Sequence, residues 1–387
     1  MYKLKTYIIA IFTLAVVCSC GSNPEISDSD TDTTQQEDSG SSSDQTTSDD
    51  STADLSDYPY EIPIIFHVLY VDSDDTYQNP EIGRIAEIME YTNYYFNGTF
   101  DSADINVQFI LAENDPDGNP LSEAGVDRVY IEGTYPIDPE ELMTTEDYKH
   151  ILWDSNSYIN VMMYVFEDEE NKGIMGVAHM PIMYKYSDNL LDRVITTNYQ
   201  YLTLDNIGFT YCVSINSTYI YNQSTDTTID TYDVTATLAH ELAHHLGLHH
   251  VFAEDETTGE MLDTYDDKDY CDDTPTYNRI EYSTYISDYY VINRPPYDFL
   301  DLILRWDEEG TTYYSTNIMD YSYTLTDQFT ENQKDRMRTV LQYGLLNPGS
   351  QADSKTKAAA PSGIVDIPYK LTSCTPESKL HSQMDIE

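Results

Sequence analysis

The chain has 387 residues, long enough to bury a sizeable core, and its apolar fraction of 40% and charged fraction of 23% are ordinary for a globular protein. Its formal net charge is -50, from 69 acidic and 19 basic residues. This balance excludes nucleic-acid binding through phosphate contacts and docking on anionic lipid through a basic patch, because both require clustered lysines and arginines. It favours solubility outside the cell or, for part of the acid, calcium binding.

Residues 1–19 are predicted to be a lipoprotein signal peptide. Two lysines precede an apolar run that is too short to span a bilayer comfortably as a helix. The sequence Val17-Cys18-Ser19-Cys20 resembles a bacterial lipobox, in which a small residue precedes the modified cysteine. We therefore predict that Cys20 carries the acyl chains, and the alternative is an ordinary cleaved secretion signal.

Residues 20–57 are predicted to be a disordered acidic tether. The segment consists mainly of Ser, Thr, Asp and Gln, so it cannot bury enough apolar surface to offset its chain entropy. With lipid on Cys20, the protein would be a lipoprotein of the bacterial cell envelope. It would lie at the outer membrane or the cell surface, facing the extracellular side or the periplasm, and would touch the membrane only through this anchor.

The folded part is predicted to begin at residue 58 and to end at residue 346. A helix is predicted from Asn79-Pro80, where proline suits the first turn, to Gly98. A second helix is predicted over residues 231–246. Apolar runs rich in β-branched residues predict strands at residues 62–70, 105–111, 158–166 and 209–215.

Beyond residue 250 the sequence is irregular and acidic as far as about residue 312. The next predicted helix begins at Thr330, because Thr330 and Gln333 have the spacing of a capping box and an apolar stripe follows. Residues 347–387 are loose in composition and are predicted to be a C-terminal tail. Only three cysteines follow the tether, so at most one intramolecular pair can form among them.

The most informative segment runs from His240 to His250, HELAHHLGLHH, and holds five of the nine histidines. His240 and His244 are four residues apart, so they share a helix face and can bind one zinc ion. Glu241 lies roughly 100° further round the helix, where it can flank the open position of the metal. Gly247 can end the helix in a left-handed conformation, after which His250 supplies a third ligand.

Three neutral nitrogen ligands leave the fourth zinc position for water, which distinguishes a catalytic site from a structural one. The metal lowers the pKa of this water toward about 7, and Glu241 takes the proton as general base. The extended spacing HExxHxxGxxH joins ligands, base and turn glycine, which makes chance a poor explanation. His245 and His249 are out of register and are predicted to lie at the surface or to support the ligands from behind.

The zinc motif and several other segments resemble the pappalysin family of metzincin proteases. The likeness covers roughly residues 58–346, and it implies an α+β fold. In that fold a mixed twisted sheet and the active-site helix form an upper subdomain, residues 58–250. An irregular lower subdomain, residues 251–346, lies below the cleft. The matching segments are residues 62–70, 104–118, 240–252, 271–275, 317–322 and 329–337.

The resemblance also implies roles for residues downstream of the zinc motif. Met319 would form the apolar floor of the site in a turn, without binding the metal. Tyr321 would stabilise the oxyanion of the reaction. A calcium-bound loop would lie where six aspartates cluster, and the alternative for this cluster is a solvated acidic loop. The aspartates are Asp263, Asp266, Asp267, Asp269, Asp272 and Asp273.

Together these features predict a zinc-dependent endopeptidase that hydrolyses peptide bonds in extended polypeptides. The alternative from another class is a surface binding protein with a catalytically silent zinc site. Glu241 argues against it, because metal binding alone would need no carboxylate at that position. A zinc hydrolase acting on a non-peptide amide is a further alternative that only a substrate screen excludes.

Overall fold

The computed structural model describes residues 58–99, 102–167, 173–225, 229–255, 257–321, 323–349 and 359–374. The predicted signal peptide, the tether and Cys20 lie outside these residues, so the expectations for them stay predictions. Within the described ranges, no helix combines the length and the apolar character that crossing a membrane requires.

The described residues form one large mixed sheet and two small sheets. The large sheet has the strand order β12-β5-β8-β4-β1-β2, and β3 also pairs with β1. The β5–β8 and β12–β5 pairs are antiparallel and the other pairs are parallel, which confirms the expected mixed sheet. The strands are β1 (Tyr60–Tyr70), β2 (Val107–Leu111), β3 (Val126–Tyr130), β4 (Ile159–Tyr164), β5 (Gly176–His179), β6 (Ile182–Tyr184), β7 (Ile195–Thr197), β8 (Val213–Asn216), β9 (Leu304–Trp306), β10 (Thr312–Tyr314), β11 (Gly344–Leu345) and β12 (Leu371–Cys374).

Strand β1 lies inside the large sheet because its sequence is apolar on both faces. Ile64 and Phe66 pack into the largest hydrophobic cluster, whereas Ile65 and Leu69 pack into two other clusters. Strand β4 pairs with one edge of β1. On the other edge, β2 pairs with residues 60–64 and β3 pairs with residues 66–70. A strand buried on both faces is typical of parallel sheets, which carry helices or loops on either side.

Helices α1 and α3 pack together on one face of the large sheet. Helix α1 is shorter than predicted at both ends. Gly83 caps it with a φ of 97°, and the Gly83 N–H donates to Oε1 of Glu123 over 2.8 Å, so Pro80 lies before the helix. The helices are α1 (Arg84–Phe96), α2 (Pro139–Thr144), α3 (Val234–His245), α4 (Arg279–Ile292), α5 (Phe299–Leu302) and α6 (Glu331–Tyr343).

The helix predicted to begin at Thr330 is α6, and its capping box is present. The Gln333 N–H donates to Oγ1 of Thr330, and the Thr330 N–H donates back to Oε1 of Gln333 over 3.0 Å. The segment after residue 250 was expected to be irregular, yet it contains α4. The exposed Val291 and Ile292 lie beside buried Ile286 in this helix, so its sequence shows no single apolar stripe.

The C-terminal segment predicted as a tail contributes to the fold where it is described. Residues 371–374 form β12, which extends the large sheet by pairing antiparallel with β5. Ile367 joins a hydrophobic cluster with Phe209 and Leu346. The composition of this segment is polar, but a four-residue edge strand needs little apolar surface because backbone hydrogen bonds hold it.

Candidate metal centre

Helix α3 is buried along its whole length, and its sequence explains how it starts and stops. Asp233 caps the N-terminus by accepting hydrogen bonds from the backbone N–H groups of Thr235 and Ala236. Gly247 follows the last turn with a φ of 97°, a left-handed conformation that favours glycine. A Cβ at Gly247 would lie 2.8 Å from Cγ2 of Val340, so the turn also needs a residue without a side chain.

The turn at the end of α3 brings three imidazoles to one point. The Nε2 atoms of His240 and His244 lie 3.0 Å apart, and Nε2 of His250 lies 3.2 Å and 3.0 Å from them. Tetrahedral zinc with bonds of about 2.0–2.1 Å would separate its ligands by about 3.3 Å. All three residues are buried. The donor set therefore fits one zinc ion, and all three predicted ligands take part.

The other ring nitrogen of each histidine has its own oxygen neighbour. Nδ1 of His240 lies 2.7 Å from the carbonyl oxygen of Ile318, and Nδ1 of His244 lies 2.8 Å from that of Leu248. Oε2 of Glu254 lies 2.9 Å from Nδ1 of His250, at an angle outside hydrogen-bond geometry. Such neighbours fix ring orientation and leave Nε2 free for the metal.

Burial keeps the imidazoles of His240 and His244 neutral. It lowers the pKa of His240 to about 3, with a further contribution from His250, and it lowers the pKa of His244 well below its usual range. A neutral imidazole is the form that binds zinc. The environment therefore favours the metal-binding state of the site at neutral pH.

Glu241 lies beside His240, one of the three imidazoles, with its side chain fully buried. Oε1 accepts a hydrogen bond of 3.1 Å from the backbone N–H of Cys374, and Oε2 has no hydrogen-bond partner. Burial raises the pKa of the carboxyl well above its usual range. Gly176 makes room for the carboxylate, since a Cβ there would meet Cγ of Glu241 at 2.5 Å. The structure thus leaves one carboxylate oxygen of Glu241 without a hydrogen-bond partner, on a side chain that lies beside His240.

The turn that contains Met319 lies directly against the ligands. Met319 is buried, its N–H donates to Oδ1 of Asn317 over 2.9 Å, and its carbonyl accepts from the N–H of Val251 over 3.3 Å. The preceding residue, Ile318, supplies the carbonyl next to His240. Met319 is thus buried in a turn next to the ligands, and its role as an apolar floor stays a prediction.

The same turn is anchored by a buried ionic cluster that the sequence did not reveal. Asp320 accepts hydrogen bonds of 2.5 Å from both Tyr277 and Ser315. Its carboxylate lies 3.2 Å from Arg305 and 3.9 Å from Arg279. Burial would raise the pKa of Asp320, but the two guanidinium groups outweigh it and the pKa is lowered. An ionised carboxylate therefore holds the turn in place.

Tyr321 lies at the site, with its ring centroid 4.4 Å from that of His250 and 6.2 Å from that of His240. Its hydroxyl donates to the carbonyl oxygen of Ser373 in β12. The hydroxyl therefore has a backbone partner in this structure, and its role toward an oxyanion stays a prediction.

The two histidines outside the ligand set are not at the surface, which corrects that part of the expectation. His245 is 3% exposed, and its Nδ1 lies 3.1 Å from the carbonyl oxygen of His179. His249 is 7% exposed and lies edge-on to the ring of Tyr270. Neither shares the point where the three ligands meet. The motif spacing alone could not show that the surrounding loops cover both rings.

The six aspartates predicted to bind calcium are spread along an irregular loop. Among the residues that the structure describes, no three of them bring their oxygens together as a metal-binding group. Asp269 is buried and accepts from the Cys271 N–H and the Thr274 hydroxyl, while Asp273 accepts from the Asn332 N–H. Asp269 and Asp273 thus have partners within the protein, and calcium binding by the loop stays a prediction.

One site residue outside the sequence predictions comes from β12. A ring nitrogen of His240, a carboxylate oxygen of Glu241 and Sγ of Cys374 lie within 4.8 Å of one another. The other two described cysteines, Cys212 and Cys271, are buried elsewhere, and none of the three is in a disulfide. Cys374 is 133 residues from Glu241 in the chain, so local sequence carries no signal for this approach.

Comparisons with known proteins agree with the fold. Residues 208–342 match the peptidase family described as pregnancy-associated plasma protein-A, whereas a search of curated proteins gave no match. Mature mirolysin from Tannerella forsythia, solved in complex with a cleaved peptide, superposes with a TM-score of 0.50 and 21% identity over 77% of this chain and 98% of that one. A promirolysin mutant from the same organism superposes with a TM-score of 0.51 and 19% identity, over 79% of this chain and 89% of that one.

Proposed function

We propose that the chain is a zinc metalloprotease of the pappalysin family, which residues 208–342 match, and that it is an endopeptidase that cuts extended polypeptides. One observation carries the proposal. Three Nε2 atoms lie within 3.2 Å of one another, and the carboxylate of Glu241 is buried beside His240 with one oxygen unpartnered. Metal binding alone would not require that carboxylate.

In the proposed mechanism, the residues that would hold the metal through Nε2 are His240, His244 and His250. Zinc held there would supply Lewis acidity toward the scissile carbonyl and toward a water molecule. Glu241 accepts a proton from the attacking water and returns it to the leaving amine. The Tyr321 hydroxyl donates a hydrogen bond to the developing oxyanion once its hydrogen bond to the Ser373 carbonyl is broken.

The charge state of Glu241 sets a condition on this mechanism. Burial raises its pKa well above the usual range, and a general base must be ionised before it can accept a proton. A divalent cation beside the carboxylate favours the ionised form. We therefore expect the base to become competent only when the metal is bound and the cleft is open to water.

The proposal is tested with the zinc-loaded full chain and an unfolded polypeptide substrate, with fragments mapped by mass spectrometry. We expect cuts in the interior of the substrate, and a zinc chelator should abolish them. Glu241→Ala should keep stoichiometric zinc and lose about 10²–10⁴-fold in kcat, because only the base is removed. Glu90→Ala, an exposed position on α1, is the control. Zinc-loaded protein that binds polypeptide and never cuts it would support the silent binding protein instead.

We also propose that the protein is held at the bacterial cell envelope by lipid on Cys20. The support is the lipobox-like sequence and the polar segment that follows it. Cys20→Ala should move the protein from the membrane pellet to the soluble fraction, and Cys212→Ser should leave it in the pellet. Membrane association that survives Cys20→Ala would contradict lipidation at this residue.

A further inference from the structure

The third predicted zinc ligand, His250, differs from the other two in what lies behind its ring. Nδ1 of His240 and Nδ1 of His244 each face a backbone carbonyl oxygen. Nδ1 of His250 faces a carboxylate instead, with Oε2 of Glu254 at 2.9 Å. Within the described residues, this buried nitrogen has no aligned hydrogen-bond partner. The two groups therefore lie at hydrogen-bond distance and differ from a hydrogen bond only in angle.

The ring of His250 is held in place by its aromatic neighbours. It stacks on Phe252, with the ring centroids 5.0 Å apart and the planes 4° apart. Tyr321 packs edge-on against it, with the centroids 4.4 Å apart. The side chain of His250 is 2% exposed, whereas that of Glu254 is 19% exposed. Because a packed ring has few alternative positions, the Glu254 side chain is the one with room to turn into alignment.

The backbone of Glu254 is fixed by the turn that it begins. The N–H of Leu262 donates to the carbonyl oxygen of Ala253 over 2.9 Å, on one side of Glu254. On its other side, the N–H of Asp255 donates to the carbonyl oxygen of Glu260 over 2.8 Å. These two bonds hold the Cα of Glu254 at a set distance from the ring. Rotation about side-chain bonds is then enough to aim the carboxylate at the ring nitrogen.

A carboxylate at this position suits an imidazole that binds metal. A neutral imidazole carries one proton, so a ring that gives its Nε2 lone pair to zinc keeps that proton on Nδ1. A hydrogen bond from Nδ1–H to a carboxylate fixes the ring orientation and makes the imidazole a more basic ligand. Such a charge-assisted bond is stronger than one to a backbone carbonyl, which is what His240 and His244 have available.

We propose that Glu254 is a positioning residue of the zinc site, which accepts the Nδ1–H of His250 and thereby strengthens zinc binding. The inference rests on the zinc site of the proposed function. Glu254 acts through His250 alone and is assigned no contact with the metal or the substrate. The spacing of the zinc motif does not include this residue, because the motif ends at His250.

The effect on zinc binding is tested with the full chain by competition for zinc with a chromophoric chelator. Glu254→Ala should lower zinc affinity by about 10–100-fold, the usual effect of losing a partner behind a ligand. Glu254→Gln should lower it less, because its amide oxygen still accepts the bond without the charge. Glu260→Gln, an exposed position in the same turn, is the matched control and should leave the affinity unchanged. Equal affinities of Glu254→Ala and the wild-type chain would overturn the inference.

The hydrogen bond itself is tested by NMR of the zinc-loaded chain with ¹⁵N-labelled histidine. We expect the Nδ1–H proton of His250 to resonate downfield of those of His240 and His244, since its acceptor is charged. In Glu254→Gln the His250 signal should move upfield, while the other two signals stay and serve as internal references. A merely structural role of Glu254 would not move this one signal. An identical His250 signal in the wild-type chain and in Glu254→Gln would overturn the inference.

Both measurements read zinc binding and not turnover, so their outcomes separate this inference from the proposed function. A wild-type chain that cuts polypeptides, and whose zinc affinity and His250 signal do not respond to Glu254→Gln, overturns the inference and leaves the endopeptidase intact. A chain that shows the expected affinity loss and signal shift and never cuts a polypeptide supports the role of Glu254 and removes the endopeptidase.

Discussion

The sheet region, residues 58–250, and the lower region, residues 251–346, are stabilised in different ways. In the sheet region, apolar strands pair over long registers and α1 and α3 cover them, so backbone bonds and apolar packing place His240 and His244. In the lower region the described strands have at most three residues. The turn at Met319 depends there on one buried carboxylate and two guanidinium groups.

The difference teaches where each region is vulnerable. An apolar core loses stability in proportion to the atoms removed. A set of buried charges as a whole contributes little to the free energy of unfolding. Removing one member is costly, because it leaves another charge buried and unpaired. Arg305 shows how closely the set is enclosed, because its guanidinium carbon lies 3.5 Å from the ring centroid of Tyr282. Single substitutions in the lower region should therefore have the larger effects.

The largest expected effect is on the buried charges. Asp320→Ala should lower the free energy of unfolding by about 3–5 kcal/mol, because Arg305 and Arg279 lose their counter-charge. Ile64→Val in β1 should cost only about 0.5–1.5 kcal/mol. Urea unfolding of both variants measures the difference. Equal losses would show that the two regions do not differ in this way.

The next effect lies where the two regions meet. His250→Ala should lower zinc affinity by at least about 100-fold, because it removes a ligand whose Nε2 lies 3.0 Å from that of His244. His249→Ala should change the affinity far less, since its ring faces Tyr270. Competition with a chromophoric chelator gives both values. Equal losses would mean that the neighbouring histidine replaces the ligand.

A smaller effect concerns acid stability of the sheet region. Burial lowers the pKa of His179 to about 3, whereas the unfolded chain titrates near 6.5. Between these two pKa values, His179 is protonated in the unfolded state and neutral in the native state. Its contribution to the free energy of unfolding is therefore complete above pH 6.5 and is lost as the pH falls. His179→Gln should reduce the slope of stability against pH by about 1.4 kcal/mol per pH unit. Urea titrations at pH 4.5 to 7 measure it, and an unchanged slope would contradict the assignment.

The smallest effect is expected from calcium in the lower region. Removing calcium with a calcium-selective chelator, with zinc retained, should lower the melting temperature and slow cleavage, because a cation offsets repulsion among the aspartates. Each 1 kcal/mol lost would shift the melting temperature by about 2–4 °C. Asp273→Asn should reproduce part of the loss. An unchanged melting curve together with no calcium by elemental analysis would leave a solvated acidic loop.

Local sequence was enough to predict several features of the fold. The four-residue spacing of His240 and His244 and the position of Gly247 follow from helix geometry, so the spacing alone predicts that the ligands meet. The capping box of α6 and the apolar run of β1 were equally local signals. Each depends on residues within a few positions of one another, which periodicity and capping rules describe.

Tertiary structure alone decided what surrounds those ligands. Cys374 reaches Glu241 across 133 residues of sequence, and Asp320 meets Tyr277 across 43. Burial of His245 and His249 likewise depends on loops that pack over them from elsewhere in the chain. Strand pairing and buried charge contacts form between segments that are distant in sequence, and no local pattern encodes which distant partner will arrive. The sequence by itself thus determined that the three histidines meet. The pairing of β12 with β5 decided that Cys374 lies beside Glu241.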